Sequence, residues 1–363
     1  FHPIWLSSRS ILFADGKDEP DPIMLEEYIT GEIGDDLAPF LLPTTMKTIE
    51  PPQPERSEWD IPAELMQDRE TASATELETR LGCPLKWTLG YQARLYGSSV
   101  AQLPDGVQLY GLFLHSVLEQ VFSGGGKLPT PKTAAKKVVA MFDKQLASEA
   151  APLAQPQQYA TTNRLREQIQ YATRVFIESL REGDYEIIGL EVEIDGDVFG
   201  KQLRGQIDCL ARRPDGKQAI IDFKFGGHNK YTKMLEEGKA VQLATYAHSQ
   251  RDAAGNYPAV AYLILANDRF VTPNGSAIKG GDGLQTVDGP PISEVWDKFV
   301  KAIEKCGTWL TTAAKVPAWP LHSPHQWPRG VELVLQDDLK IDESQTPCRY
   351  CDYTKICGIQ RLE

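Results

Sequence analysis

Asp208, Asp222 and Lys224 stand in the stretch Gly205 to Gly226, GQIDCLARRPDGKQAIIDFKFG, where two alternating or apolar runs flank Arg213-Pro214-Asp215-Gly216-Lys217. That cluster has no apolar residue and carries Pro and Gly, so it predicts a turn and makes the whole stretch a β-hairpin. A turn centred on Asp215 sets Asp208 directly across from Asp222, and opposed residues on one sheet face have Cβ atoms roughly 4.5–5.5 Å apart. Two bare carboxylates at that separation repel, whereas a divalent cation between them turns the repulsion into chelation. Lys224, two residues after Asp222, shares their face, while Ile207, Cys209, Ile221 and Phe223 point the other way into a core. Two aspartates, a cation and a lysine can together activate water and offset anionic charge, which is what phosphodiester hydrolysis needs.

The elements around the hairpin must supply further ligands and hold it in place. Val107 to Phe122, VQLYGLFLHSVLEQVF, is apolar at helical spacing and predicts a buried helix. His115 lies on it with Gly111 four residues before and Glu119 four after, all on one stripe. A lone histidine there is ordinarily a satisfied core residue, but Gly111 leaves room over the ring and Glu119 is placed to fix its tautomer. Lys230 to Arg251 reads as a helix with Gln242 and Tyr246 at i and i+4 on one face. Thr133 to Ala150 and Thr161 to Arg181 read as amphipathic helices whose bases, Lys136, Lys137, Arg164, Arg166 and Arg174, are expected in solvent. Ile187 to Phe199 reads as a strand on which Glu191 and Glu193 occupy the exposed face, a place as a further acidic group near the cation being the lesser alternative for Glu191. Pro258 to Asn267 is a strand buried on both faces, and Ser293 to Ala314 a last long helix. Alternation of this kind predicts a mixed α/β layer architecture.

Cysteine spacing is the second signal. Cys348, Cys351 and Cys357 form C-x2-C-x5-C near the C-terminus, a spacing that disfavours mutual disulfides and suits thiolates around one metal centre. Cys209 and Cys306 read as ordinary buried thiols. Cys83 sits at a bend before Pro84, in a helix running from Thr71 to Tyr96 and entered through Ser73, and is the better fourth ligand. Zinc in a four-thiolate site usually rests on two local cysteine pairs, which are lacking here. A distant first ligand with a three-cysteine tail suits an iron–sulfur cluster, and zinc stays open as the alternative.

The chain has 363 residues and a net charge of −12, a balance that argues against a nucleic-acid partner. The charge is unevenly spread, because residues 1 to 70 hold 16 Asp/Glu and 5 Lys/Arg, leaving residues 71 to 363 with a net of −1. The acidic, Pro-containing front, 1–70, reads as a solvated extension or a partner-docking arm, ahead of a domain spanning 71–363. No run of 18 uninterrupted apolar residues occurs and FHPIWLSSRS lacks the plan of a signal peptide, so a cytoplasmic protein with no membrane contact is expected. The chain starts at Phe1 and reads as a segment of something longer. It holds no G-x4-G-K-[ST] phosphate loop, so any motor acting with it is expected on another chain or ahead of Phe1.

Taken in order, His115 in GLFLHSVLE, Asp208 in GQID, Asp222-Phe223-Lys224 and Gln242-x3-Tyr246 resemble the PD-(D/E)XK nucleases of the RecB and AddB type. Cys83 with Cys348, Cys351 and Cys357 resembles the iron–sulfur staple of the AddB branch and of related CRISPR adaptation nucleases. The resemblance covers residues 71 to 363; Phe223 between the Asp and Lys, and Cys209 where a basic residue is frequent, depart from it. It implies a restriction-endonuclease-like fold, a central mixed sheet flanked by helices and closed by a four-cysteine cluster carrying 4Fe–4S. It implies that His115, Asp208 and Asp222, with the carbonyl of Phe223, bind Mg²⁺ or Mn²⁺. Lys224 would then orient or deprotonate water, and Gln242 and Tyr246 would touch the nucleic-acid backbone or brace the site. The implied activity is a DNA nuclease, with exonuclease action the expected mode, on single strands or duplex ends in end processing, recombinational repair or phage defence, alongside a helicase partner. A non-catalytic DNA-end-binding or scaffold subunit is the alternative, disfavoured because a scaffold needs none of His115, Asp208, Asp222 and Lys224.

Overall fold

The structure, a computed structural model, describes residues 58–61, 69–95, 106–194, 196–313, 315–317 and 351–357. Most of the acidic front and Cys348 lie outside the described residues. In chain order the first elements are β1 (Glu58–Asp60), β2 (Thr71–Ala72), helix α1 (Ala74–Gly82) and the short α2 (Pro84–Trp87), which runs into a π turn over Thr88–Gln92. Ser73 caps α1, its hydroxyl accepting the Glu76 N–H at 3.1 Å, so the helix does start through Ser73 as expected. Pro84 stands in the first turn of α2, where its missing N–H is harmless, and confirms the bend at Cys83.

Three long helices follow: α3 (Gly106–Phe122), α4 (Pro131–Glu149) and α5 (Tyr159–Glu182). Their apolar stripes, Leu109, Phe113, Val117 and Leu118 on α3 and Leu165, Ile169, Phe176 and Ile177 on α5, are buried together. Lys136 and Lys137 face solvent as expected, and Arg166 pairs with Asp143 at 2.6 Å.

The central part holds β3 (Glu186–Glu193), β4 (Asp197–Val198), β5 (Lys201–Leu203), β6 (Gln206–Arg212), β7 (Gln218–Lys224), α6 (His228–Glu236), α7 (Val241–Ser249), β8 (Ala259–Ile264), β9 (Arg269–Pro273) and β10 (Leu284–Val287). The chain then forms α8 (Ile292–Ala313), β11 (Lys315–Pro317) and, among the described residues of the tail, α9 (Thr354–Cys357). Two expected single elements are each divided. The strand from Ile187 stops at Glu193, and the helix from Lys230 is broken between Glu236 and Val241. β9 and β10 had no sequence counterpart: short strands beside turn residues carry little periodicity.

Six strands form one mixed sheet in the order β10-β9-β8-β7-β6-β3. β6 is antiparallel to both β3 and β7, whereas β7 and β8 run parallel. One face, with Ala219, Ile221, Phe223, Ala261 and Leu263, packs on α3, α4 and α5. The other, with Leu210, Ile220, Tyr262 and Ile264, packs on α1, α7 and α8. β8 is therefore buried on both sides, which explains its unbroken apolar run. This is the mixed α/β arrangement expected, consistent with a restriction-endonuclease-like fold. Among the described residues no helix is long and apolar enough to cross a membrane.

Candidate active site

The hairpin turns where its sequence dictates. Arg213 and Lys217 close the loop with a 2.8 Å backbone bond, and Gly216 adopts φ 88°, the left-handed residue that a three-residue hairpin loop requires. The register Cys209 to Ile221, Leu210 to Ile220, Ala211 to Ala219 and Arg212 to Gln218, extended by one, places Asp208 opposite Asp222. The ladder stops short of that pair. Asp208 instead turns its carboxylate to the sheet, Oδ2 accepting the Phe223 N–H at 2.6 Å. Alternation also slips here: Ile207 joins Leu210 in the core on the α7 side while Cys209 faces α3, so the expectation that Ile207 and Cys209 share a face fails.

The same interruption occurs on the other side of β6. Leu190 pairs with Cys209 and Val192 with Ile207, so Glu191 stands opposite Asp208, yet that pair is missing from the ladder. Glu191 has φ 49°, rare for a residue with a side chain, and a register shift lies just upstream between Ile187 and Gly189. Glu191, Asp208 and Asp222 therefore form one acidic row across three neighbouring strands. Glu191 is half-buried in this row, which corrects its expected place on an exposed strand face.

His115 reaches the row from α3. Its Nδ1 lies 4.0 Å from Asp208 Oδ2, and its ring meets Phe223 edge-on at 5.7 Å. Ligand atoms of His115, Glu191 and Asp208 all lie within 4.8 Å of one another, a group that could hold a metal ion. A Cβ on Gly111 would make only an ordinary contact, 3.7 Å from Phe225 Cβ. One expectation about the stripe of His115 changes. Glu119 makes no hydrogen bond to His115; after burial, its charge is the next cause that raises the Glu191 carboxyl.

Asp222 is only 1% exposed and pairs with Lys224, whose Nζ lies 2.6 Å from Oδ2. It stands outside the compact His115, Glu191 and Asp208 group. Its Oδ1 has no hydrogen-bond partner among the described residues, an orphaned buried oxygen of the kind a cation would satisfy. Burial pushes both aspartates up to about 6, opposed in each by Lys224; Glu191 adds to the rise of Asp208, and Asp208 to that of Asp222. Burial pulls the Lys224 ammonium down, but Asp222 beside it outweighs that and holds it raised. Burial lowers His115, which keeps the ring neutral and its nitrogen free to donate electrons.

Gln242 and Tyr246 reach the site from α7. Lys224 Nζ donates to Gln242 Oε1 at 3.4 Å, and Gln242 Nε2 donates to the Tyr246 hydroxyl at 3.0 Å. Gly205 makes room for this: a Cβ there would come within 3.3 Å of the Tyr246 ring and 3.1 Å of Ile194. A residue with no signal in the sequence also arrives. Glu78 of α1 accepts the Gln242 backbone N–H at 3.1 Å, and burial pushes its carboxyl up to about 7.

The cysteines occupy a different region. Cys83 Sγ accepts the Lys86 N–H at 3.4 Å as the cap of α2. Cys83 and Cys357 lie in the same buried cluster. The Cys351 thiol is raised by burial, lowered by the Tyr353 N–H and by Lys86, and raised again by Cys357, so the tail rests near α2. Tyr353 anchors it, donating to the Leu95 carbonyl over Gly90. Among the described residues no metal-binding group of three includes a cysteine. Cys209 is a fully buried thiol, as expected, and burial raises it far.

No curated protein matches the chain. A family model does match, over residues 71–358, a span that takes in α1, the acidic row, α7 and the cysteine tail. By that match, and in keeping with its mixed sheet, the chain belongs to the PD-(D/E)XK nuclease superfamily.

Proposed function

We propose that the protein is a metal-dependent deoxyribonuclease and that the row on β3, β6 and β7 is its catalytic centre. The observation that carries this reading is the convergence of His115, Glu191 and Asp208 beside the buried Asp222 and Lys224 pair. His115, Asp208 and Glu191 would hold a divalent cation, Mg²⁺ or Mn²⁺, with Asp222 and the Phe223 carbonyl completing the set; oxygen donors and a neutral imidazole suit such ions. When bound, the cation polarises the phosphate and makes water more acidic.

The chain's own groups do the rest. Lys224, held as an ammonium by Asp222, orients water and offsets charge on the phosphorane-like transition state; with Asp222 ionised beside it, it is a poor base. Gln242 braces Lys224 against Tyr246. In-line attack would leave a 5′-phosphate and a 3′-hydroxyl. The finer reading is an exonuclease working on single strands or duplex ends.

Cys83, Cys348, Cys351 and Cys357 we assign to a 4Fe–4S cluster that staples the tail to α2. What supports this reading is that Cys83 shares a buried cluster with Cys357 and that the Cys351 thiol feels both Cys357 and Lys86 of α2. Anaerobically purified protein should be brown with visible absorbance, and a colourless preparation holding one zinc would refute the cluster. Labelled single-stranded DNA should be cut with Mg²⁺ or Mn²⁺ by wild type and not by Asp222→Ala; a cluster-loaded wild type that cuts nothing would sink the nuclease reading and favour a scaffold.

A further inference from the structure

We infer that Glu78 is a positioning residue: it fixes the start of α7 so that the carboxamide of Gln242 stays on Lys224. The inference rests on the nuclease reading above and adds to it a residue from outside the sheet.

The first N–H groups of a helix have no partner within it and need an acceptor from elsewhere. α7 has none of its own, since Ala240 at its cap supplies no side-chain acceptor. Glu78 supplies one from α1, 164 residues away, its Oε1 accepting the Gln242 N–H at 3.1 Å. A carboxylate there is also favoured by the positive end of the helix. Gln242 in turn spends its side chain on the site, Oε1 accepting from Lys224 Nζ at 3.4 Å and Nε2 donating to the Tyr246 hydroxyl at 3.0 Å. Glu78 therefore holds the backbone of the one residue whose side chain bridges Lys224 and Tyr246.

Docking of the two helices does not require this carboxylate. Leu77 and Leu81 of α1 are already buried in one cluster with Val241 and Ala244 of α7. Apolar packing is non-directional and sets which helices touch, whereas a hydrogen bond sets how α7 is turned. Lys224, Asp222 and Lys230 are the charged groups near enough to shift Glu78, so it lies at the edge of the centre itself.

Steady-state cleavage of labelled single-stranded DNA by the full chain tests the role. Glu78→Ala should lower kcat about tenfold with KM for DNA within about twofold, the signature of lost transition-state stabilisation. Glu78→Asp, which folds with the same charge but falls short of the amide, should lose kcat similarly, and Glu78→Gln, which keeps an acceptor, should stay within about threefold of wild type. In a Gln242→Ala background, Glu78→Ala should change kcat by no more than about twofold, because residues acting through one another are not additive. Amide hydrogen exchange gives a readout independent of cleavage: the Gln242 N–H should be protected in wild type and Glu78→Gln and exchange at least tenfold faster in Glu78→Ala. Wild-type kcat in Glu78→Ala, an additive loss in the double variant, or an unprotected Gln242 amide in wild type would each overturn the inference. A wild type that cuts nothing fails the nuclease reading and takes this role with it, whereas a cutting wild type with an equally active Glu78→Ala fails this role alone.

Discussion

The two ends of the β6 and β7 hairpin use the same strands differently. Toward the turn, Cys209 to Arg212 pair with Ile221 to Gln218 and the loop closes on Arg213 and Lys217. Toward the site the ladder lets go on both sides of Asp208, and the carboxylate takes the Phe223 N–H that a strand carbonyl would otherwise accept. Backbone pairing and a side-chain carboxylate compete for the same donor, and the fold resolves this by ending one where the other begins. The contrast extends to electrostatics. Asp215 at the turn is exposed and caps the Lys217 N–H, whereas Asp208 and Asp222 are raised by burial.

Breaking the site end should cost most. Lys224→Ala is expected to lower kcat by about 10²–10³-fold, the range for removing one donor aimed at transition-state charge, with the melting temperature changed little because Asp222 is then free to protonate. A loss under tenfold would mean that Lys224 only neutralises its neighbour. Next comes Glu191→Gln. If Glu191 is a ligand, the Mg²⁺ concentration for half-maximal cleavage should rise by about tenfold or more, with little change at saturating metal; an unchanged requirement would return Glu191 to a passive strand position.

A third effect is pH-dependent stability without metal. Asp208 and Asp222 have folded pKa values above their unfolded ones, so between about pH 4 and 6 the folded state binds more protons and stability falls as pH rises. A bound cation removes that loss. The gain in melting temperature on adding Mn²⁺ should therefore be larger at about pH 7.5 than at about pH 5. Equal gains would show that the two carboxylates do not face the ion. The smallest effect belongs to the turn end, where Gly216→Ala should cost about 1 kcal/mol for a left-handed residue and leave kcat unchanged. A kcat loss there would mean that the two ends are coupled.

Much of the candidate site is written locally. Pro214 and Gly216 specify the turn, and counting back from it sets Asp208 against Asp222 without reference to any other element. Period-3.6 apolar spacing predicts α3 and with it the buried stripe beside His115, and i, i+4 spacing puts Gln242 and Tyr246 on one side of α7. The division of the Lys230 to Arg251 helix and the two short strands β9 and β10 escaped the same reasoning, because each is too short for a period to show.

What the amino-acid sequence alone determined, then, is the hairpin, its register and the residue types along it, since these depend on neighbours two to four positions apart. Tertiary structure alone decided that Glu191 joins Asp208 and His115, that Glu119 bears on Glu191, and that Glu78 crosses to Gln242. Those contacts join strands and helices far apart in the chain, and a backbone slip such as that at Glu191 reverses where a side chain points. No short-range period encodes such a slip, because it is set by the sum of packing on both faces of the sheet.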